Sequence, residues 1–189
     1  MMNIKLILLI LSLFLFGFTL YFFRDPIRQL PVGITPNDII SPADGKVFII
    51  DETTDDAFLK SRAKIVAIFL SPLDVHVNRI PISGKIDYYS YVKGGFKAAF
   101  RHSSENNEQT LIGITAGGHK VFMKQIAGFI ARRIVCNLRE GANVQIGEKF
   151  GMIRFGSRMD LIMPLGTDIK VKLNQKVTAG ETIIAILPH

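Results

Sequence analysis

Tryptophan is absent and cysteine occurs once, at Cys136, so this chain of 189 residues can form no intrachain disulfide. A disulfide-stapled secreted scaffold and a cysteine-rich zinc module are both excluded. There are four histidines and no two sit at ligand spacing, so no metal site is expected. The Gly-x-Ser-x-Gly frame of a hydrolase nucleophile elbow is missing, and so is any nucleic-acid-binding fingerprint. What is abundant is apolar: 48% of residues are of hydrophobic type, which excludes disorder and leaves enough for a self-sufficient core. The length fits one domain, or one domain with an appendage. A formal charge of +7 asks for an anionic partner, either nucleic acid or a membrane surface.

One long hydrophobic run is present. From Leu6 to Phe23 no charge interrupts 18 residues, and Lys5 and Arg24 bracket them. As a helix the run is about 27 Å long, enough for a bilayer core. No small-x-small cleavage site follows, so an uncleaved anchor over residues 1–23 is expected; a signal peptide and a buried helix are the other readings. Arg24, Arg28 and Lys46 follow the span, against Lys5 before it, which places the remaining domain on the cytoplasmic side of the cell (inner) membrane. Pro26, Pro31, Gly33 and Pro36 then forbid a continuing helix, so residues 24–40 read as a connector to a domain over 41–189.

That domain reads as strands joined by turns. Short β-branched or aromatic runs occupy 46–50, 64–70, 85–91, 110–115 and 120–126, and Gly117-Gly118 between the last two signals a hairpin. Residues 126–138 read equally as a short helix or a buried strand. Val144, Gly147, Glu148 and Ile153 recur 33 residues later as Val177, Gly180, Glu181 and Ile186. The spacing resembles the hammerhead hairpins of biotinyl and lipoyl carrier domains. Met123-Lys124 is the nearest approach to a carrier lysine and lacks the rest of that motif. The expected fold is α+β and predominantly β: a small barrel or sandwich with such hairpin repeats, plus one N-terminal transmembrane helix.

Three turn-rich segments hold reactive side chains. Asp44 lies in Ser41-Pro42-Ala43-Asp44-Gly45-Lys46, His76 in Asp74-Val75-His76-Val77-Asn78-Arg79, and Ser157 in Phe155-Gly156-Ser157-Arg158. Each alone is as readily an ordinary turn. Together an Asp, a His and a Ser on separate segments supply the acid, base and nucleophile of a spatial triad. His102, His119 and His189 permit other triads.

These segments, in order and with Phe23-Arg24-Asp25-Pro26, Ser104-Glu105-Asn106-Asn107-Glu108, Gln125-Ile126-Ala127-Gly128 and Ala131-Arg132-Arg133-Ile134-Val135-Cys136, run nearly the whole chain. The sequence resembles the short, membrane-associated phosphatidylserine decarboxylase proenzymes. The resemblance implies self-cleavage at Gly156-Ser157, with Ser157 as nucleophile, His76 as base and Asp44 orienting the imidazole. Ser157 then becomes a covalent pyruvoyl group heading a small chain, 157–189, which stays with the large chain, 1–156, as a heterodimer, with a higher oligomer as a further option. The pyruvoyl carbonyl captures the amine of a serine phospholipid and takes up the electron pair released with CO₂, with no metal.

The implied substrate is an aminophospholipid in an anionic membrane, not nucleic acid. An ether-type serine phospholipid, or a non-catalytic membrane-anchored lipid-binding barrel, are the alternatives. Longer family members carry a second His three residues after the first, where this chain has Arg79. Arg79 is therefore a candidate for the lipid phosphate or carboxylate, or for a surface role. Arg132, Arg133, Arg154 and Arg158 read either as a solvated basic face or as a group of which at least one contacts lipid head groups.

Overall fold

A computed structural model describes residues 3–95, 107–128, 133–153 and 157–188. The chain begins with helix α1 (Ile4–Phe22), capped by Asn3, whose side chain accepts from the Lys5 backbone N–H. Its mean hydropathy of 2.3 and its 19 residues suit a bilayer crossing by length and composition. It stands away from the body, and only Phe22 in its last turn is buried.

The strands follow in the order β1 (Asp38–Ile40), β2 (Gly45–Asp55), β3 (Ser61–Leu70), β4 (Val77–Arg79), β5 (Gly84–Val92), β6 (Gln109–Ala116), β7 (His119–Ile126), β8 (Ile134–Cys136), β9 (Asn143–Val144), β10 (Lys149–Ile153), β11 (Ser157–Pro164), β12 (Asp168–Ile169), β13 (Lys176–Val177) and β14 (Ile183–Ile186). All five expected strands are present, and Gly117-Gly118 is the turn between β6 and β7. The ambiguous stretch 126–138 contains the end of β7 and all of β8, with 129–132 outside the described residues.

Eight strands form one antiparallel sheet in the order β13-β2-β3-β11-β7-β6-β5-β9, curled into a half-barrel. Two three-stranded sheets, β1-β14-β12 and β4-β10-β8, complete it. The late strand β11 lies between β3 and β7, paired with β3 over eight residues and with β7 over five. It is buried along almost its whole length, so both faces must be filled. Met159, Leu161 and Met163 alternate into the main core with Val66, Ile68, Ile112, Ile114 and Met123. Ile162, on the other face, joins Phe58, Ala63 and Phe122.

The hairpin repeat recurs as a backbone arrangement. Gly147 and Gly180 have φ of +81° and +80°, and Gly141 and Asn174, 33 residues apart like them, have +84° and +69°. A side chain other than Gly, Asn or Asp is strained there, which is why the turn residues repeat with the strands. The two halves also grip each other reciprocally. Ile40 N–H donates to Pro81 O and Arg79 N–H to Pro42 O, both at 2.9 Å; Gly147 N–H donates to Ile80 O and Gly180 N–H to Ser41 O. The segment 40–47 is thus the counterpart of 79–86.

Leu161 is fully buried at the middle of β11. A Leu161→Ala chain should lose about 2–5 kcal/mol of unfolding free energy in urea titrations; a loss under about 1 kcal/mol would show that β11 is not the packed centre of the sheet.

Candidate active site

The turn between β3 and β4 presents His76. Pro72 presets the bend, Ser71 N–H donates to Asp74 Oδ2 at 2.7 Å, and Asp74 N–H returns to Ser71 O at 3.0 Å. The closed turn sends Val75 and His76 inward, and His76 is fully buried. Its ring lies against Phe22 of α1, centroids 4.2 Å apart and planes 34° apart. Neither ring nitrogen makes a well-formed hydrogen bond among the described residues, although the Asp74 backbone lies close enough to act on the ring. Burial pushes the imidazole below its ordinary pKa of 6.5, Arg24 adds to that, and the backbone and carboxylate of Asp74 oppose it. The net direction is down, so His76 is neutral at pH 7 and able to accept a proton.

Ser157 opens β11, and its side chain is also fully buried with no partner for Oγ among the described residues. Register brings it to the histidine turn. Ser157 is opposite Leu70, the last residue of β3, while Met152 on β10 is opposite Val77, the residue after His76. The strands β10 and β11 thus pair with β4 and β3, the two strands that the turn 71–76 joins. Gly156 lies outside the described residues.

Asp44 occupies the turn into β2. Its Oδ1 accepts from Ala179 N–H at 2.8 Å and its Oδ2 from Arg28 at 2.7 Å. The counterpart half explains the first bond: there Ser83 Oγ accepts from Ile146 N–H at 2.9 Å, with Ser83 and Ile146 in the equivalent places. One oxygen of Asp44 thus does the turn-tying that a serine does in the other half. The second oxygen is what the carboxylate adds, and in this structure it holds Arg28. Burial raises the pKa of Asp44; Ala179 and Arg28 lower it, and Asp74 raises it further. Asp74 is the charged neighbour common to Asp44 and His76. The structure makes no hydrogen bond between Asp44 and His76, or between His76 and Ser157.

Arg79, at the end of β4, is buried and donates to Gly147 O at 3.0 Å, Asp25 at 3.1 Å and Pro26 O at 3.3 Å. Its stem passes over Gly180, where an added Cβ would lie 3.0 Å from Arg79 Cδ. Both arms of its fork therefore engage the connector and a repeat turn. Arg158 is buried on the outer face of β11 in an ion pair with Asp160. Arg133 is exposed, and Arg132 and Arg154 lie outside the described residues.

Sequence reading missed a buried polar pair. Gln125 Nε2 on β7 donates to Asn78 Oδ1 on β4 at 2.9 Å, leaving Asn78 Nδ2 and Gln125 Oε1 unpaired. Gln125 is opposite Met159, two residues along β11 from Ser157, and Asn78 is two residues beyond His76. Unpaired buried polar atoms are uncommon, and five of the six found among the described residues belong to His76, Asn78, Gln125 and Ser157. Such a concentration marks a reaction site better than any one motif. A polar residue in a buried strand was the available signal.

The site thus brings together a buried serine hydroxyl at a strand start, a buried histidine on a nearby turn, and the last turn of a helix of membrane-spanning length resting on that histidine. Residues 15–185 match the family model described as phosphatidylserine decarboxylase, and the chain belongs to that family. A Prosthecochloris aestuarii protein named phosphatidylserine decarboxylase proenzyme is 50% identical over 180 residues, covering 95% of this chain and 82% of that protein. Proteins with the same name from Chlorobium limicola and Ehrlichia canis are each 48% identical, over 94% and 89% of this chain and 82% and 75% of their own lengths.

The lowered pKa of His76 has a stability consequence. Between the folded-state value and 6.5 the unfolded chain binds a proton that the folded chain does not, so stability falls as pH drops through that window. Asp44, whose folded-state pKa is raised above 3.8, acts with the opposite sign between 3.8 and that raised value. The melting temperature should therefore fall on acidification below about pH 6.5, and a His76→Gln chain should show a flatter slope there; an unchanged slope would place the titration elsewhere.

Proposed function

We propose that the chain is a phosphatidylserine decarboxylase proenzyme that cleaves itself between Gly156 and Ser157 and then converts phosphatidylserine to phosphatidylethanolamine and CO₂. The observation that carries this reading is the Ser157 hydroxyl: fully buried, without a partner among the described residues, and tied by strand register to the turn bearing a neutral His76.

In the first step Ser157 Oγ attacks the carbonyl carbon of Gly156 while His76 takes the hydroxyl proton. The Gly156–Ser157 C–N bond breaks as the C–O bond forms, and the proton is returned to the departing amine, giving an ester. Glycine at 156 puts no side chain in the path of attack. Removal of the Ser157 α-proton then expels the Gly156 carboxylate and leaves dehydroalanine. Its enamine tautomerises, and water replaces the nitrogen, which leaves as ammonia. The pyruvoyl group so formed at position 157 supplies the electron sink for the pair released with CO₂. The buried Ser157 side chain, with no competing partner among the described residues, fits such a group.

Asp44 orients His76 in this reading. To do so its Oδ2 must exchange Arg28 for the imidazole, with Asp74 supplying the negative charge nearest His76 meanwhile. For Arg79 to bind the lipid phosphate it would have to give up Asp25; with its fork engaged in this way, Arg79 fastens the connector to the body instead. The two chains remain together because β11, β13 and β14 of the small chain pair with β3, β7, β2 and β1 of the large one. Helix α1 spans the inner membrane, with the catalytic body on the cytoplasmic side.

Denaturing mass spectrometry tests the cut. The purified chain should appear as fragments 1–156 and 157–189, the smaller without an amine at its N-terminus and inert to Edman degradation. Ser157→Ala should remain one chain, and His76→Ala should slow processing or abolish decarboxylation. A Ser157→Ala chain that still splits at this bond would refute serine attack.

A further inference from the structure

The last turn of α1 and the residues after it are fastened to two segments, one carrying His76 with Arg79 and the other carrying Asp44. Tyr21 Oη donates to Leu73 O at 3.0 Å, and Arg24 donates to the same oxygen at 2.7 Å while lying 3.8 Å from the Tyr21 ring centroid. Asp25 accepts from Arg79 at 3.1 Å and pairs with Lys149. Arg28 holds Asp44 at 2.7 Å and reaches Glu181 at 3.8 Å. In the middle of these contacts Phe22, the one buried residue of the helix, lies on the His76 ring.

A plain tether needs none of this. Proline and glycine in the connector would let a helix hang from a flexible leash, yet every charged residue from Arg24 to Arg28 is engaged with the body. An aromatic ring lying over an imidazole restricts the plane of the imidazole and keeps water from that side. We propose that Phe22 is a positioning residue for the reaction: the foot of the membrane helix is a wall of the active site, and Phe22 sets the orientation and hydration of His76. The proposal rests on His76 being the base of the proposed function.

The charged groups acting on His76 are Asp74 from its own turn and Arg24 from the connector; Phe22 itself carries no charge. Removing the ring would rehydrate the imidazole and leave Asp74 in place. Rehydration raises the affinity of His76 for a proton, and Asp74 continues to favour the charged form. Orientation would suffer as well, so turnover should fall more than substrate affinity.

The test uses the full chain in detergent or in phosphatidylserine-containing nanodiscs. In a Ser157→Ala background, histidine NMR titration, with His76 assigned by His76→Gln, should place His76 below 6.5. Adding Phe22→Ala should move it upward, and Phe22→Tyr should restore it. In the self-cleaving chain Phe22→Ala should shift the acid limb of the processing and decarboxylation rates to higher pH, with kcat falling more than KM rises. Phe22→Leu keeps an apolar cover that folds but removes the stacked ring, and should show the loss in kcat with a smaller titration shift. An unmoved His76 titration and an unmoved acid limb in Phe22→Ala would overturn the proposal, provided His76→Gln is inactive. A fully active His76→Gln chain would instead overturn the functional reading on which it rests.

Discussion

The structure depends on the insertion of β11 between β3 and β7. A strand near the end of the chain is held on both sides by strands formed far earlier, and it carries apolar side chains to one face and a buried Arg158–Asp160 pair to the other. Because side chains alternate, a slip of one residue would turn Met159 and Leu161 out of the core and Arg158 into it. The register is therefore strongly specified, and Ser157, at the first position of that strand, inherits its precision. A side chain at the start of a locked strand is held in place by the same register that the core requires.

The same economy appears at Asp44. Two related half-structures meet across reciprocal backbone bonds, and in one of them a serine ties the turn that an aspartate ties in the other. The fold needs a single acceptor at this position. The second carboxylate oxygen breaks the likeness between the halves, and it faces the arginine that follows the membrane helix. Near-symmetry thus separates what is structural in a residue from what is left for chemistry. Around it the buried atoms of His76, Asn78, Gln125 and Ser157 without partners among the described residues concentrate hydrogen-bonding capacity that is costly to bury.

Much of this was legible in the sequence, for local reasons. Alternating β-branched runs, Gly117-Gly118 and the repeated Val-x-x-Gly-Glu spacing are signals carried within ten residues, and each became the strand or turn expected. The blocks holding Asp44, His76 and Ser157 were visible as turn-rich interruptions. What was not legible is long-range. Nothing near Phe22 marks it among the apolar residues of its helix, yet its ring meets His76, 54 positions away. Arg79 reads as an exposed cation, but Asp25 and Gly147 O, which claim it, are equally remote. Polar residues such as Gln125 and Asn78 look misplaced in apolar strands until their partner across the barrel is known.

The interleaving of β11 has a kinetic side. While the chain is continuous, strand and barrel are tethered, and closing the long loop between them is an intramolecular event whose entropic cost grows only slowly with length. Once the bond before Ser157 is cut, the same pairing becomes an association between two molecules, dependent on their concentration. The finished protein would then sit in a state that it reaches readily by folding first and cutting second. After denaturation, the separated chains would have no such route back, so maturation would turn a reversible fold into one held by the slowness of its own disassembly.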